Sequence, residues 1–222
     1  MIYILCLLCL GIMAVFIMQE HKENYVPAVI LKGFASLCFV VVGFICASKC
    51  GDARFAGLVK IGLVLGLIAD ILLNLRFVFK KNGQKIFLVG ILVFLSGHIL
   101  YLCALIPKCS SLVLCLIAGI VLTALILIWI FSKITAKPAF KIFGVFYIGA
   151  IVIMNCVAVG VLIANPCSAS AVFLAGAVSF LISDVVLILN TFGSETKFKL
   201  RITNLTLYYI GQLLIALSLM YY

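Results

Sequence analysis

Residues 110–131 read SSLVLCLIAGIVLTALILIWIF, a run with no charged residue between Lys108 and Lys133. About twenty apolar residues in an α-helix, at 1.5 Å each, cross the hydrocarbon core of a bilayer. A strand-built span would alternate in polarity over about ten residues, and this run does not alternate. In lipid the backbone must satisfy its own N–H and C=O groups, which a helix does within one segment. The stretch therefore reads as a transmembrane helix.

Seven more apolar runs lie outward from it, at roughly 1–18, 26–48, 56–75, 86–106, 140–163, 169–190 and 202–221. Pro27, Pro107, Pro138 and Pro166 fall at their edges, where a missing N–H disrupts a helix least. The whole chain is 67% hydrophobic and 10% charged, with a mean hydropathy of +1.43. A soluble domain carries about a quarter charged residues, so this chain takes lipid as its surroundings. The expected class is all-α: a polytopic membrane protein of about eight transmembrane helices in a single domain, 1–222. The opening run has no Lys or Arg before it and no small-x-small cleavage pattern, and it ends in Gln19-Glu20-His21-Lys22. It is expected to be a retained first helix rather than a signal peptide.

The net charge of +10 does not point to nucleic acid, because the basic residues sit in short loops between spans. Loops one, three, five and seven with their flanks hold eleven of them: Lys22; Arg76, Lys80, Lys81 and Lys85; Lys133, Lys137 and Lys141; Lys197, Lys199 and Arg201. The even loops hold four: Lys49, Arg54, Lys60 and Lys108. The odd loops are expected to face the cytoplasm, with both termini opposite. Ten cysteines are present, most of them inside spans and none in a metal-binding pattern with His. They read as small buried hydrophobes. With two histidines and no acid cluster, no metal site is expected.

Sliding the chain against itself by 114 residues sets Gly62 on Gly176, Asp70 on Asp184, Leu73 on Leu187, Gly97 on Gly211 and His98 on Gln212. Spans 3–4 and 7–8 then read as related hairpins. A parallel repeat of four plus four spans is expected, with halves 1–109 and 110–222.

Of six carboxylates, Glu20, Glu23, Asp52 and Glu195 fall in expected loops, where solvation accounts for them. Asp70 and Asp184 lie within spans. A carboxylate there costs about 2.5–3.5 kcal/mol on insertion scales unless it is neutral, paired or wet, and such residues mark pathways or sites. Both should lie about 8–12 Å inside the odd-loop boundary. His98 falls near the middle of span 4, and is either a site residue or a satisfied interior histidine. Gln212 reads as interhelical glue, and Tyr208 and Tyr209 as interfacial aromatics or site hydroxyls. Asn74 shares the helix face of Asp70. Lys32, six positions into span 2, either snorkels or supplies a counter-charge to a carboxylate or phosphate. Tyr147 lies at matching depth in span 6.

Gly62-x7-Asp70-x-Leu-Leu, Phe94-x3-His98-x-Leu-Tyr101, Ser183-Asp184-x2-Leu187 with Phe192, and Tyr208-Tyr209-x2-Gln212-Leu-Leu together resemble the YhhN-type membrane family, which contains the lysoplasmalogenases. The resemblance runs over nearly the whole chain. It implies hydrolysis of the alkenyl ether bond of lysoplasmalogens to a fatty aldehyde and a glycerophospho-alcohol. It also implies that Asp70, Asp184 and His98 are catalytic, and that Lys32, Tyr208 and Gln212 belong to the site. Tyr147 and Asn74 join them as candidate substrate-binding residues by their position. Ala69 and Gly33 depart from the family pattern, which commonly has Gly and Pro there. Enol-ether hydrolysis needs one protonated carboxylic acid to protonate the β-carbon, and an ionised carboxylate to steady the oxocarbenium ion and orient water. No cofactor is required. The expected partners are a lysophospholipid substrate and membrane lipid. A proton-coupled transporter or lipid-binding protein using the same aspartates is the alternative, and a purely structural membrane subunit is a third.

Overall fold

The computed structural model describes residues 1–222 as eight long helices with no strand. They are α1 (Ile2–His21), α2 (Tyr25–Ala47), α3 (Ala53–Val78), α4 (Gly83–Leu105), α5 (Leu112–Phe131), α6 (Pro138–Ala164), α7 (Ser168–Phe192) and α8 (Phe198–Ser218). Every one is long and apolar enough to cross a membrane, as the sequence led us to expect. Local chemistry sets several of the ends. The Asp52 carboxylate accepts the Phe55 N–H at 2.9 Å and caps α3, and Pro138 opens α6 at a position that needs no donor.

Two boundaries move for a common reason. α1 runs three residues past its expected end, to His21, and α8 starts four residues before its expected start, at Phe198. Hydropathy ends a span at its first charges. Here two of those charges, Glu20 and Arg201, turn inward and pair with each other across the bundle.

Six helices form a closed ring in the order α2, α3, α4, α6, α7, α8, each packed on the next and α8 back on α2. α1 lies outside against α2 and α8, and α5 lies outside against α6. The pairings α1–α2, α2–α3, α3–α4 and α4–α6 recur four helices later as α5–α6, α6–α7, α7–α8 and α8–α2. The glycines that the 114-residue shift superposes are the ones at which the two helices of each hairpin touch. A Cβ on Gly97 would lie 3.3 Å from the Gly62 carbonyl oxygen, and one on Gly211 would lie 2.9 Å from that of Gly176. Small residues at such crossings let helix backbones close up where lipid supplies no hydrophobic drive. One buried apolar core spans the ring, from Phe16 and Phe39 through Phe94 and Ile148 to Phe180 and Ile215. All ten cysteines are free.

Candidate active site

Toward the end that carries the odd-numbered loops, the helices part around a largely apolar cleft that runs from the interior of the ring out to α5. Asp70 from α3 and Asp184 from α7 both line it, together with Lys32, Asn74, Tyr147 and Tyr208. Both aspartates sit eight residues before the odd-loop end of their helix, about 12 Å of rise, so the expected shared layer is present.

The two carboxyl groups have unlike neighbours. Asp70 is ion-paired through Oδ1 with Lys32 Nζ at 3.0 Å, and both side chains are buried. Its Oδ2 accepts from Ser36 Oγ and from the Tyr208 hydroxyl, each at 2.6 Å. Asp184, equally buried, accepts one hydrogen bond at Oδ2, from the Tyr147 hydroxyl at 2.6 Å. It makes no ion pair; the four in the structure involve Asp70, Asp52, Glu195 and Glu20. A buried charge is stable only when paired and hydrogen-bonded. Asp70 meets that requirement as a carboxylate, whereas Asp184 has the surroundings of a neutral acid.

A polar chain runs from Lys32, beside Asp70, to Ser183, the residue before Asp184. Lys32 also donates to Asn74 Oδ1 at 3.4 Å, and Asn74 Nδ2 donates to Glu20 Oε2 at 3.0 Å. Arg201 grips Glu20 with both arms, Nε to Oε1 at 2.7 Å and Nη2 to Oε2 at 2.9 Å. Arg201 reaches Asn204 at 3.4 Å, and Asn204 exchanges hydrogen bonds with Ser183, the residue before Asp184. This bidentate Arg–carboxylate geometry is the strong form of the pair. It corrects the reading of Glu20 as a solvated loop residue. Lys32 does not snorkel; it is 3% exposed and committed to Asp70.

Gln212 stands behind the site rather than on the cleft wall. Its Nε2 donates to the Tyr208 hydroxyl at 3.4 Å, and its Oε1 accepts from the Tyr101 hydroxyl at 3.1 Å. Being both donor and acceptor, it orients the phenol that reaches Asp70. His98 also lies off the cleft wall. It is packed edge-on to Phe180 at 4.4 Å between ring centroids and lies 5.8 Å from the Tyr147 ring. Neither ring nitrogen has a hydrogen-bond partner in the protein. The geometry therefore brings Asp70, Asp184, Lys32, Asn74, Tyr147 and Tyr208 around one cleft and sets Gln212 and His98 behind its lining.

A model of the YhhN family matches residues 28–219, from the start of α2 to the last turn of α8. The chain belongs to the YhhN family. No curated protein and no solved structure matches it. In this YhhN protein the matched segment contains every cleft residue named above and leaves out Glu20, which α1 contributes.

Sequence reasoning missed Ser36, Glu20, Arg201 and Asn204. Ser36 had a usable signal, since it lies one helical turn from Lys32 and so on the same face of α2. The pairing of Glu20 with Arg201, across 181 residues, has no local signature.

Proposed function

We propose that the protein is a lysoplasmalogenase-like ether hydrolase, with Asp184 as the general acid and Asp70 as the ionised partner. The observation that carries the reading is the unequal setting of two buried aspartates on one apolar cleft. Such a pair of carboxyls, pushed apart by environment, divides acid and base roles in other hydrolases. The proton on Asp184 passes to the β-carbon of the alkenyl ether, leaving an oxocarbenium ion at the carbon bonded to oxygen. Asp70 steadies that cation, and water adds to it, giving up a proton to a carboxylate and forming a hemiacetal. Collapse of the hemiacetal breaks the C–O bond, with the proton returned to the leaving glycerol oxygen, and releases fatty aldehyde and glycerophospho-alcohol. Tyr147 and Tyr208 hold the two carboxyls in place, and the apolar wall of Leu127, Ile130, Phe131 and Ile148 takes the alkenyl chain.

The recurrence of helix pairings at four supports a parallel repeat with halves 1–109 and 110–222. The excess of basic residues in the odd loops supports a cytoplasmic mouth for the cleft.

The test is aldehyde release from a lysoplasmalogen by protein purified in mild detergent, with Asp70→Asn and Asp184→Asn run alongside. Release by the parent and loss in both folded variants is the expected result. A transporter would instead need a sealed compartment and a gradient. No release at any pH from 5 to 8 would turn the reading to transport or lipid binding.

A further inference from the structure

Four cations line the cleft, Lys32, Arg76, Lys141 and Arg201, and two are committed to carboxylates: Lys32 to Asp70, and Arg201 to Glu20. Of the other two, Lys141 is a point charge over the Phe131 ring, 5.7 Å from its centroid, and the planar guanidinium belongs to Arg76. Its Nε is buried with no hydrogen-bond partner, and no carboxylate lies within ion-pair distance of it. Its guanidinium lies against two aromatic faces, 4.6 Å from the Phe77 ring centroid and 4.2 Å from that of Phe87. Stacking of this kind holds a guanidinium in place while leaving its donor edge free.

Arg76 also stands on the wall between two cavities. It lines the cleft with the aspartates, and it lines a second, more open one with Tyr25, Lys80 and Gln84. The first is apolar beyond its polar residues; the second opens among the odd loops. A fixed, unpaired, planar fork of donors at such a junction matches a phosphodiester, whose oxygens accept two parallel N–H bonds.

The spacing agrees. Arg76 follows Asp70 by six residues on α3, about 9 Å of rise toward the odd-loop end. In a lysoplasmalogen six bonds separate the alkenyl ether carbon from phosphorus, about 7 Å when extended at the advance per bond of a polypeptide. An ether at the aspartates therefore places its phosphate at Arg76 and its headgroup in the second, more open cavity.

We propose that Arg76 is the phosphate-recognising residue of this site and sets its specificity for phosphorylated over non-phosphorylated ether lipids. The proposal rests on the ether-lipid reading above. It also moves the phosphate contact from Lys32, which Asp70 occupies, to Arg76.

The test compares 1-alkenyl-lysophosphatidylethanolamine with 1-alkenylglycerol, which lacks the phosphate, on the parent, Arg76→Gln and Arg76→Lys. Losing charge-assisted hydrogen bonds to one phosphate raises KM for the phosphorylated substrate roughly 10- to 100-fold in Arg76→Gln. kcat and the KM for 1-alkenylglycerol stay near the parent values. Arg76→Lys, which keeps the charge without the fork, falls between. Lys133→Gln, an exposed charge at the same end, leaves all of these unchanged. Equal losses on both substrates in Arg76→Gln and Arg76→Lys, or none on either, would overturn the assignment.

A second arm measures binding of saturated 1-alkyl-lysophosphatidylethanolamine and of 1-alkylglycerol, neither of which can be hydrolysed by this route. Arg76-dependent preference for the former, without alkenyl cleavage by the parent, would uphold the phosphate site and overturn the hydrolase. Cleavage without the preference would overturn Arg76 alone. Glycerophosphoethanolamine should compete more strongly than inorganic phosphate. Equal competition by inorganic phosphate would mean a free-anion site and would overturn the lipid assignment.

Discussion

Removing Lys32 exposes how much of the bundle depends on the charge state of Asp70. The two groups meet at 3.0 Å with their side chains 4% and 2% exposed, so neither has water to fall back on. Lys32→Met keeps the length of the stem and deletes the ammonium. Asp70 then keeps its hydrogen bonds from Ser36 and Tyr208 but loses its only cation. Breaking a buried pair from one side costs about 3–5 kcal/mol, while replacing both partners with neutral groups costs little. Lys32→Met and Asp70→Asn should therefore each lose about 3–5 kcal/mol. The double variant should lie within about 1–2 kcal/mol of the parent, because a neutral amide facing Met leaves no unpaired charge. The assay is reversible unfolding of the four proteins in mixed micelles, followed by helicity. The double variant should be stable and inactive toward the alkenyl ether. Losses that simply add, with a coupling below about 0.5 kcal/mol, would refute a buried, mutually dependent pair.

Asp184→Asn should cut aldehyde release about 10²- to 10⁴-fold, the usual scale for losing a general acid, with far-UV circular dichroism unchanged. Gly176→Ala should destabilise the α7–α8 hairpin by about 1–3 kcal/mol, because its Cβ would meet the Gly211 carbonyl oxygen at 2.8 Å. Gly33→Ala, whose Cβ meets only the Ile71 side chain at 3.6 Å, should be neutral or slightly stabilising in the same unfolding assay. At the opposite end of the bundle, a hydrogen bond from Lys108 and then one from the Phe55 N–H hold the Asp52 carboxyl below its usual range. A depressed folded-state value gives stability that is present above the ordinary carboxylate pKa, near 4, and lost as pH falls through the folded-state value. The parent's stability advantage over Asp52→Asn should therefore shrink below about pH 4. It should stay under about 1 kcal/mol even at neutral pH, because Asp52 is 38% exposed.

The fold was legible because lipid imposes one rule on every span, and a continuous apolar run such as 110–131 obeys it without help from its neighbours. The central residues of the site were legible for the opposite reason: Asp70, Asp184 and Lys32 break that rule, and a rule-breaking charge inside a span has to be compensated. Tyr147, Tyr208 and Tyr209 are legible as candidates, from depth or from the family resemblance, but Ser36 is an ordinary residue in a membrane helix until the ring closes and sets it 2.6 Å from Asp70. Glu20 and Arg201 lie where hydropathy stops counting, so they were assigned to solvent although tertiary packing draws both inside. His98 shows the limit from the other side. Its polarity marked it, but only the packing of Phe180 and Tyr147 around it shows that it sits behind the cleft rather than on it.

The proposed repeat explains how a scaffold of equivalent halves arrives at two unlike aspartates. In each half the second helix of four offers polar groups to the aspartate of the third: the Lys32 ammonium and the Ser36 hydroxyl from α2 to Asp70, and the Tyr147 hydroxyl alone from α6 to Asp184. The fourth helix of the other half supplies the next neighbour. Tyr208 of α8 reaches Asp70, and the 114-residue shift sets Phe94 of α4 at the matching position. Phe94 has no hydroxyl to give. Three differences therefore separate the two sites: an ammonium against a phenol, the Ser36 hydroxyl against Ala150, and a phenol against a phenyl. One half keeps a cation and two further donors, which suit an ionised carboxylate. The other keeps a single donor and an aromatic wall, which suit a proton carrier. A symmetric pair with a lysine on each side would hold two carboxylates and no acid, and a pair with none would hold two acids and no anion to meet the oxocarbenium ion. The chemistry proposed here needs one of each, and the divergence of these few side chains on a common frame is sufficient to supply them.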